Sequence, residues 1–352
     1  GYHWLPHLAG DAFAAQLPVR FTFQSNFNVP RGEPASVVAR AQLEAVAAEC
    51  RVDLIKHPLA SAQYRRLVLD GDVIVVPYDR DNYYARSSGI FAEALVAGKP
   101  VLVPAGTWMA TELNSAICDY HEVLRREQRV LTGFDAHDLA WRTSRGKLRR
   151  DLLDADGLPV LGHSPTRCWL RVPDGATHLL VTFKISGQSC GVFSGIASEH
   201  FASGRMLLGR TISWVGGGRD GRGGALIRVD RAARRIRLGL SNSLSPTPIA
   251  LKDLRIDFLS APISTPVSVV GAIYVEPNEL FQHLREIVTH YEHYRLTAAE
   301  FSRSWSAYHC AGRLFEQLTV GRAPTAADGA DAADASSTTI LCPSERCRSQ
   351  AA

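Results

Sequence analysis

One short segment of the chain combines the residue types that bind a diphosphate. An apolar run at residues 72–77 is followed by a polar loop and then by residues 86–90, where a helix is predicted to begin. At the amino terminus of a helix, unpaired backbone N–H groups and the helix dipole favour a bound phosphate. An arginine can hold phosphate oxygens in a bidentate manner, and a glycine lets the phosphate approach the backbone closely. The predicted diphosphate-binding residues are Arg86, Ser87, Ser88, Gly89 and Ile90.

Glu93 lies one helical turn further along the same predicted helix. A carboxylate at this position can accept hydrogen bonds from both hydroxyls of a ribose. The order of strand, loop and helix puts these groups beyond the carboxyl end of a strand, where α/β sheets bind ligands. Ser87 and Ser88 are also good N-caps in any helix, so an α/β domain without a ligand here is the competing interpretation.

Two other segments fit known motifs by spacing but in the wrong context. The glycines at residues 216–221 fit G-x-G-x-x-G, but a dinucleotide site needs a helix after the motif, and the strand-like residues 225–229 follow instead. A glycine-rich hairpin loop is therefore predicted. Residues 187–191 fit the G-x-S-x-G elbow of serine hydrolases, although they lie among antiparallel strands. A serine hydrolase using Ser189 stays open as an alternative.

Residues that could bind a metal are scattered along the chain. The seven cysteines form no two close pairs that face each other, so reduced cysteines in a cytoplasmic protein are predicted. His290 and His293 are three residues apart and could share a helix face, but the charged helix around them favours solvated side chains. The sequence predicts no metal and no cofactor.

The elements that would position the diphosphate site alternate strands and helices over the first third of the chain. The continuous apolar run at residues 72–77 is typical of a parallel strand buried on both faces. Repeated strand–helix–strand units predict a doubly wound parallel sheet. The predicted strands are 19–24, 52–55, 72–77 and 100–104, and the predicted helices are 35–50, 61–70 and 90–97.

Nearly every segment from Arg167 to Ser260 is predicted to be a strand, and the spacing of the turns indicates an antiparallel β-sandwich. Exposed aromatic rings in it would stack on sugars, but buried sandwich aromatics are commoner, so core positions are predicted. The arginine-rich residues 231–237 are predicted to form a solvated edge strand. The aromatic side chains concerned are Trp169, Trp214 and Phe183.

The α/β pattern returns after the β-rich segment, with a strand at 268–275 and helices at 277–294 and 297–318. The predicted fold class is therefore α/β: a Rossmann-like half domain with a parallel sheet, interrupted by an antiparallel β-sandwich insertion. The last residues are rich in Ala, Asp, Ser and Thr, which favours a disordered tail. The predicted boundaries are 1–118 and 263–320 for the two parts of the α/β domain, 119–262 for the insertion and 321–352 for the tail.

Residues 93–101, Glu-Ala-Leu-Val-Ala-Gly-Lys-Pro-Val, resemble the E-A-hydrophobic-A-x-G-x-P-V segment of group-1 (GT4-like) GT-B glycosyltransferases. The resemblance covers about residues 1–115 and 265–320 and leaves out the β-rich segment. It implies the C-terminal, donor-binding half of such an enzyme. Glu93 would then bind the ribose of the donor, residues 86–90 its diphosphate, and the loop with Lys56, His57 and Leu59 its nucleobase.

The resemblance implies transfer of a sugar from a nucleotide-diphosphate sugar to a glycan or lipid-linked acceptor, with no metal required. It implies a cytoplasmic protein and is compatible with peripheral association at the inner face of the membrane. The family's catalytic and acceptor-binding residues lie largely in an N-terminal Rossmann-like half, which is expected to precede Gly1, so no catalytic residue is assigned. Ala85 stands where the family often carries a glutamate. This departure favours the rival interpretation, a non-catalytic glycan- or protein-binding module on a degenerate α/β scaffold.

Composition narrows the classes of protein further. The chain has 352 residues, which corresponds to about two domains, and 46% of them are hydrophobic, which excludes a wholly disordered chain. No apolar run approaches the roughly 20 residues that span a bilayer. The net charge of +4 gives no argument for a nucleic-acid partner.

Overall fold

Parallel strands alternate with helices at both ends of the described chain, and antiparallel strands fill the part between them. The computed structural model describes residues 2–25, 34–49, 52–78, 80–84, 86–143, 146–148, 157–160, 166–185, 192–215, 221–241 and 249–310. It is a mixed α/β structure with parallel and antiparallel sheets. Within the described residues, no helix combines the length and the apolarity that crossing a bilayer requires.

The α/β part begins with a 3-10 turn at Tyr2–Trp4. Its helices are α1 Leu5–Ala14, α2 Pro34–Glu49, α3 Ser61–Asp70, α4 Arg80–Tyr83, α5 Gly89–Val96, α6 Trp108–Glu127, α7 Pro277–Thr289 and α8 Tyr291–Tyr308. Its strands are β1 Phe21–Gln24, β2 Val52–Ile55, β3 Ile74–Val75, β4 Val101–Pro104 and β16 Gly271–Tyr274.

These strands form two parallel sheets, and one apolar cluster contains residues of both. β1 pairs with β2, and the other three strands have the order β16-β4-β3. All four residues of β4 are buried, because helices cover both faces of this sheet. One core cluster contains residues of α1, α2 and α7 together with residues of both sheets, and the other contains residues of α5, α6 and α8.

The carboxyl ends of the two parallel sheets lie at the same edge. The Tyr2 hydroxyl lies 2.6 Å from the Oγ of Ser25, directly after β1. The Trp4 ring packs edge-on against Tyr274, the last residue of β16, with ring centroids 5.7 Å apart. Tyr2 and Trp4 belong to a single turn, which therefore contacts the chain at the carboxyl ends of both β1 and β16.

The β-rich part consists of two antiparallel sheets around one core. One sheet has the order β13-β10-β15-β5, with β8 also paired to β15, and the other has the order β12-β11-β14-β9-β6-β7. Apolar side chains of both sheets fill the space between them. The strands are β5 Arg129–Asp135, β6 Arg142–Thr143, β7 Gly146–Lys147, β8 Leu158–Val160, β9 Thr166–Arg171, β10 His178–Ile185, β11 Val192–His200, β12 Met206–Val215, β13 Arg222–Arg228, β14 Arg235–Ser241 and β15 Ile249–Ser260.

A partly buried ion pair connects the β-rich part to α7. Arg228 on β13 donates to both carboxylate oxygens of Glu286 on α7, at 2.5 and 2.8 Å. The same guanidinium donates to the carbonyl oxygens of Thr265 at 2.9 Å and Ile263 at 3.2 Å, and Glu286 accepts from the Val267 N–H. The pair therefore holds β13, the segment before β16 and α7 together.

Several sequence predictions are corrected by these elements. Residues 231–237 do not form an edge strand, because β14 lies between β11 and β9. Residues 216–220, most of the predicted glycine-rich hairpin loop, lie outside the described residues, and the strands before and after them, β12 and β13, belong to different sheets. The predicted helix 277–294 is two helices that meet at His290. A single helix, α6, spans position 118, where a domain boundary is predicted, and the boundary stays a prediction.

Gly98 allows α5 to end and β4 to begin. Its φ is +65°, and its N–H and that of Lys99 donate to the carbonyl oxygens of Leu95 and Ala94, which closes the helix in a Schellman motif. A Cβ at Gly98 would stand 3.2 Å from the Cα of Ala299 on α8. Only glycine satisfies both the left-handed conformation and this close approach.

Replacing Gly98 with alanine is therefore expected to lower the free energy of unfolding by about 1–2 kcal/mol, measured by urea denaturation. Gly10→Ala is the matched control. Gly10 lies inside α1, and no atom lies within 4 Å of the position that a Cβ would take there, so alanine should raise the free energy of unfolding by about 0.5–1 kcal/mol. Equal effects of the two substitutions would contradict the role assigned to Gly98.

Candidate functional site

Ser88 caps the amino terminus of α5. Its backbone is extended, and its Oγ accepts a hydrogen bond from the N–H of Phe91 at 3.2 Å. The residue is only 3% exposed, and its side chain lies near the hydroxyl of Tyr78, at the end of the segment that follows β3. The cap therefore fixes the start of the helix against the carboxyl end of the sheet.

The other predicted diphosphate-binding residues leave room for a ligand at this helix end. Arg86, Ser87 and Gly89 are exposed, and Ile90 is half-buried. No atom lies within 4 Å of the position that a Cβ on Gly89 would occupy. Exposed backbone and hydroxyl groups next to a guanidinium are suited to a phosphate. The structure thus brings these residues together at one helix terminus.

Glu93 lies on the exposed side of α5, one turn after the cap. The Tyr64 hydroxyl, on α3, lies near this carboxylate. Burial raises the pKa of the Tyr64 hydroxyl, and the nearby Glu93 carboxylate raises it further, so Tyr64 stays neutral and can donate to the carboxylate. Tyr64 is absent from the residues predicted from sequence, because nothing in its spacing indicates a contact between α3 and α5.

Tyr78, which lies near Ser88, belongs to a stacked pair of tyrosines. Tyr78 and Tyr83 stack with ring centroids 4.2 Å apart and planes 25° from parallel. Burial raises the pKa of Tyr78, and the nearby Ser88 side chain opposes this only in part. The Tyr78 hydroxyl is therefore neutral and available as a donor or acceptor next to the cap.

The predicted nucleobase loop lies between β2 and α3. His57 is exposed and Leu59 is half-buried, whereas the Nζ of Lys56 forms an ion pair with Glu44 on α2 at 2.5 Å. Lys56 is therefore held against α2. The loop leads directly into α3, and Tyr64 on α3 lies near Glu93 on α5. The predicted nucleobase loop therefore precedes a helix that is a neighbour of the helix carrying Glu93.

A large cavity lies elsewhere. It has a volume of about 1280 Å³, lies between α6, α7 and β13, and is lined by none of the predicted donor-binding residues. His121 lines it and is 1% exposed. Burial lowers the pKa of His121 to about 4, against a smaller opposing effect of the Val267 backbone, so its ring is neutral at pH 7.

Other sequence candidates have different outcomes. Ser189 and the side chain of Trp214 lie outside the described residues, and Phe183 is 3% exposed in the sandwich core, as predicted. The prediction of a core position for Trp169 is wrong. This residue is 51% exposed, because it alternates with the buried side chains of β9.

The predicted solvation of His290 and His293 is wrong. His290 contacts the Arg228 guanidinium, and the ring of His293 lies 3.2 Å from the carbonyl oxygen of Ser268. Among the residues that the structure describes, no group of three or more His, Cys, Asp or Glu side chains is placed to hold a metal ion.

Comparisons with known proteins give no family for this chain. No family model matches, and no curated protein matches. Similar solved structures include an endo-1,4-β-D-xylanase of Clostridium thermocellum with CBM22 and GH10 modules, complexed with xylohexaose. It is 11% identical over 37% of this chain and 28% of that chain, with a TM-score of 0.25. The enzymatically active domain of tailspike protein 4 of bacteriophage CBA120 is 11% identical over 42% of this chain and 21% of that chain, with a TM-score of 0.22. Similarity at this level carries no argument about fold or function.

Proposed function

We propose that the chain binds a nucleotide-diphosphate sugar as the donor half of a group-1 GT-B glycosyltransferase, with a glycan or a lipid-linked molecule as acceptor. The observation that carries the proposal is the arrangement at the start of α5. A capped helix terminus, an open glycine and an exposed carboxylate one turn later are grouped at the carboxyl end of a parallel strand. No metal is needed in this proposal, since the helix terminus and Arg86 offset the phosphate charge.

The strand order supports a Rossmann-like α/β half. In the doubly wound order 3-2-1-4-5-6, β2 and β1 correspond to positions 3 and 2, and β3, β4 and β16 correspond to positions 4, 5 and 6. Position 1 of this order has no counterpart among the described strands. The proposal therefore requires one further parallel strand that lies in the sheet between β1 and β3. In this arrangement the β-rich part is an insertion between α6 and β16.

The segment that resembles the glycosyltransferases forms one structural unit. Glu93 lies on α5, Gly98 ends that helix in the left-handed conformation, and Val101 begins the buried strand β4. The spacing of the three residues therefore has a physical reason. The turn at Gly98 connects α5 directly to the buried strand β4, and this fixes the distance of the Glu93 carboxylate from that strand. This supports a binding role for Glu93 beyond the sequence match.

The test is calorimetric titration of UDP, GDP and ADP into the full chain. We expect saturable binding of one nucleotide and about tenfold weaker binding for Glu93→Gln, because a neutral amide is a poorer acceptor for two ribose hydroxyls. Glu300→Gln is the matched control: Glu300 is an exposed carboxylate on α8, and its replacement should leave the affinity unchanged.

Tyr64→Phe provides an independent check of the same site. It removes only the hydroxyl that lies near Glu93, so a smaller loss of affinity is expected than for Glu93→Gln. If no nucleotide binds the folded chain, or if Glu93→Gln and Glu300→Gln bind equally well, the donor-site proposal is wrong.

A further inference from the structure

The outer face of one sheet of the β-rich part concentrates positive charge. In β9, Arg167, Trp169 and Arg171 are exposed and alternate with buried residues. The neighbouring strands add further cations to the same sheet. The six cations are Arg142, Lys147, Arg167, Arg171, Arg235 and Arg237, and we call them with Trp169 the arginine face.

The strand register sets like charges directly opposite one another. Arg235 is opposite Arg171, and Arg142 is opposite both Arg167 and Lys147. Like charges opposite each other in a sheet destabilise it. Within the described residues, none of the six cations forms an ion pair with a carboxylate, so no acidic side chain there relieves the repulsion. Because this arrangement lowers the stability of the sheet, it indicates that the cations serve binding and not folding.

The centre of the arginine face is ordered by its own contacts. Ser198 lies opposite Arg237, which lies opposite Trp169. The Oγ of Ser198 accepts a hydrogen bond from the Nε of Arg237 at 3.2 Å and lies 3.1 Å from the Nε2 of His200. The Arg237 guanidinium lies 5.9 Å from the centroid of the Trp169 ring, and the His200 ring lies 4.8 Å from it. The exposed indole is therefore held in place before any ligand binds.

We propose that the arginine face binds an acidic polysaccharide, with the Trp169 indole against a sugar ring and the surrounding guanidinium groups on its carboxylates. A guanidinium fork matches a carboxylate in a bidentate manner, and several cations on a flat sheet suit a repeating anion. Nucleic-acid surfaces that stack bases offer aromatic rings to successive nucleotides, whereas Trp169 is the one aromatic side chain described as exposed on this face. The observations therefore favour a polyuronate over a nucleic acid.

The proposal does not depend on the donor site, because the two surfaces share no residue. A substitution in the arginine face should leave nucleotide binding unchanged, and Glu93→Gln should leave polysaccharide binding unchanged. Failure of either proposal can thus be recognised separately.

The experiment measures binding of the full chain to polygalacturonate by affinity electrophoresis and biolayer interferometry, with dextran and a single-stranded oligothymidylate as comparison ligands. We expect salt-sensitive binding to polygalacturonate, none to dextran and weaker binding to the oligonucleotide. Trp169→Ala and the double variant Arg171→Ala/Arg235→Ala should each weaken binding at least tenfold. The matched control is Arg126→Ala/Arg303→Ala, which removes two exposed helix arginines and should bind like the parent chain.

A stability measurement separates recognition from folding. Because Arg171 and Arg235 repel each other, their double replacement should raise the midpoint of thermal unfolding while it weakens binding. Absence of polygalacturonate binding overturns the proposal, and so does an equal loss in the control variant. Tighter binding of the oligonucleotide than of polygalacturonate would also overturn it and would identify a nucleic-acid surface instead.

Discussion

Replacing Arg228 with methionine is expected to lower the free energy of unfolding by about 2–4 kcal/mol, because it leaves the Glu286 carboxylate without its cation in a partly dry site. The Arg228 and Glu286 side chains are 27% and 12% exposed. Burial alone would raise the pKa of Glu286, but the hydrogen bonds and charge of Arg228, with the Val267 N–H, outweigh it and lower that pKa. The carboxylate therefore stays charged and needs its partner.

A double-mutant cycle tests this pair. Arg228→Met/Glu286→Met should cost clearly less than the sum of the two single substitutions, since it removes both charges at once. Urea denaturation gives the three values. The control is the pair between Arg20 and Asp53, at 2.6 Å with side chains 72% and 45% exposed, where Arg20→Met should leave the free energy of unfolding within error. Additive effects at Arg228 and Glu286 would show that their contact contributes nothing.

Mild acid is expected to destabilise the fold through His121. Its pKa in the folded chain is about 4, against about 6.5 in the unfolded chain. Between these values the unfolded chain binds a proton that the folded chain does not, so the free energy of unfolding falls as the pH falls. The loss is about 1.4 kcal/mol per pH unit, or about 2 kcal/mol between pH 6.5 and pH 5. His178, whose pKa burial also lowers to about 4, acts in the same direction.

The pH range isolates histidine from carboxylates. Glu286 has a lowered pKa, so its stabilisation is complete above the unfolded value of about 4.3 and is lost only below it. Urea denaturation at pH 6.5 and pH 5 should therefore show a pH effect about 2 kcal/mol smaller in His121→Gln than in the parent chain. His7→Gln, at an exposed position on α1, is the matched control and should keep the parent pH effect. An unchanged pH effect in His121→Gln would contradict this role.

The parallel part of the fold could be predicted because its strands are short apolar runs with clear ends. Residues 72–77 contain β3, and residues 100–104 contain β4. The start of α5 was also predictable, since Ser88 and Gly89 are strong local signals for a cap. These signals depend only on neighbouring residues. The sequence alone therefore places Ser88 at the start of α5, Glu93 within it and Gly98 just after its end.

Contacts between distant segments could not be predicted. The approach of Tyr64 to Glu93 depends on how α3 packs against α5, and the contact of His290 with Arg228 joins residues that are distant in sequence. Trp169 shows a different difficulty. Residue type favours the core for a tryptophan, but its place in the alternation of β9 puts it on the outer face. The period-two pattern was a better guide there than the hydrophobicity of the residue.

The position of the β-rich part between β4 and β16 has a consequence for the order in which the protein folds. Val101 and Gly271 pair in adjacent parallel strands although the whole β-rich part separates them in sequence. Closing so long a loop costs chain entropy and slows folding. Arg129 of β5, however, pairs with Ser260 of β15, so the two ends of the β-rich part leave it side by side. We therefore expect the β-rich part to fold early and to bring β16 next to β4. The loop that must close when β4 pairs with β16 is then effectively short.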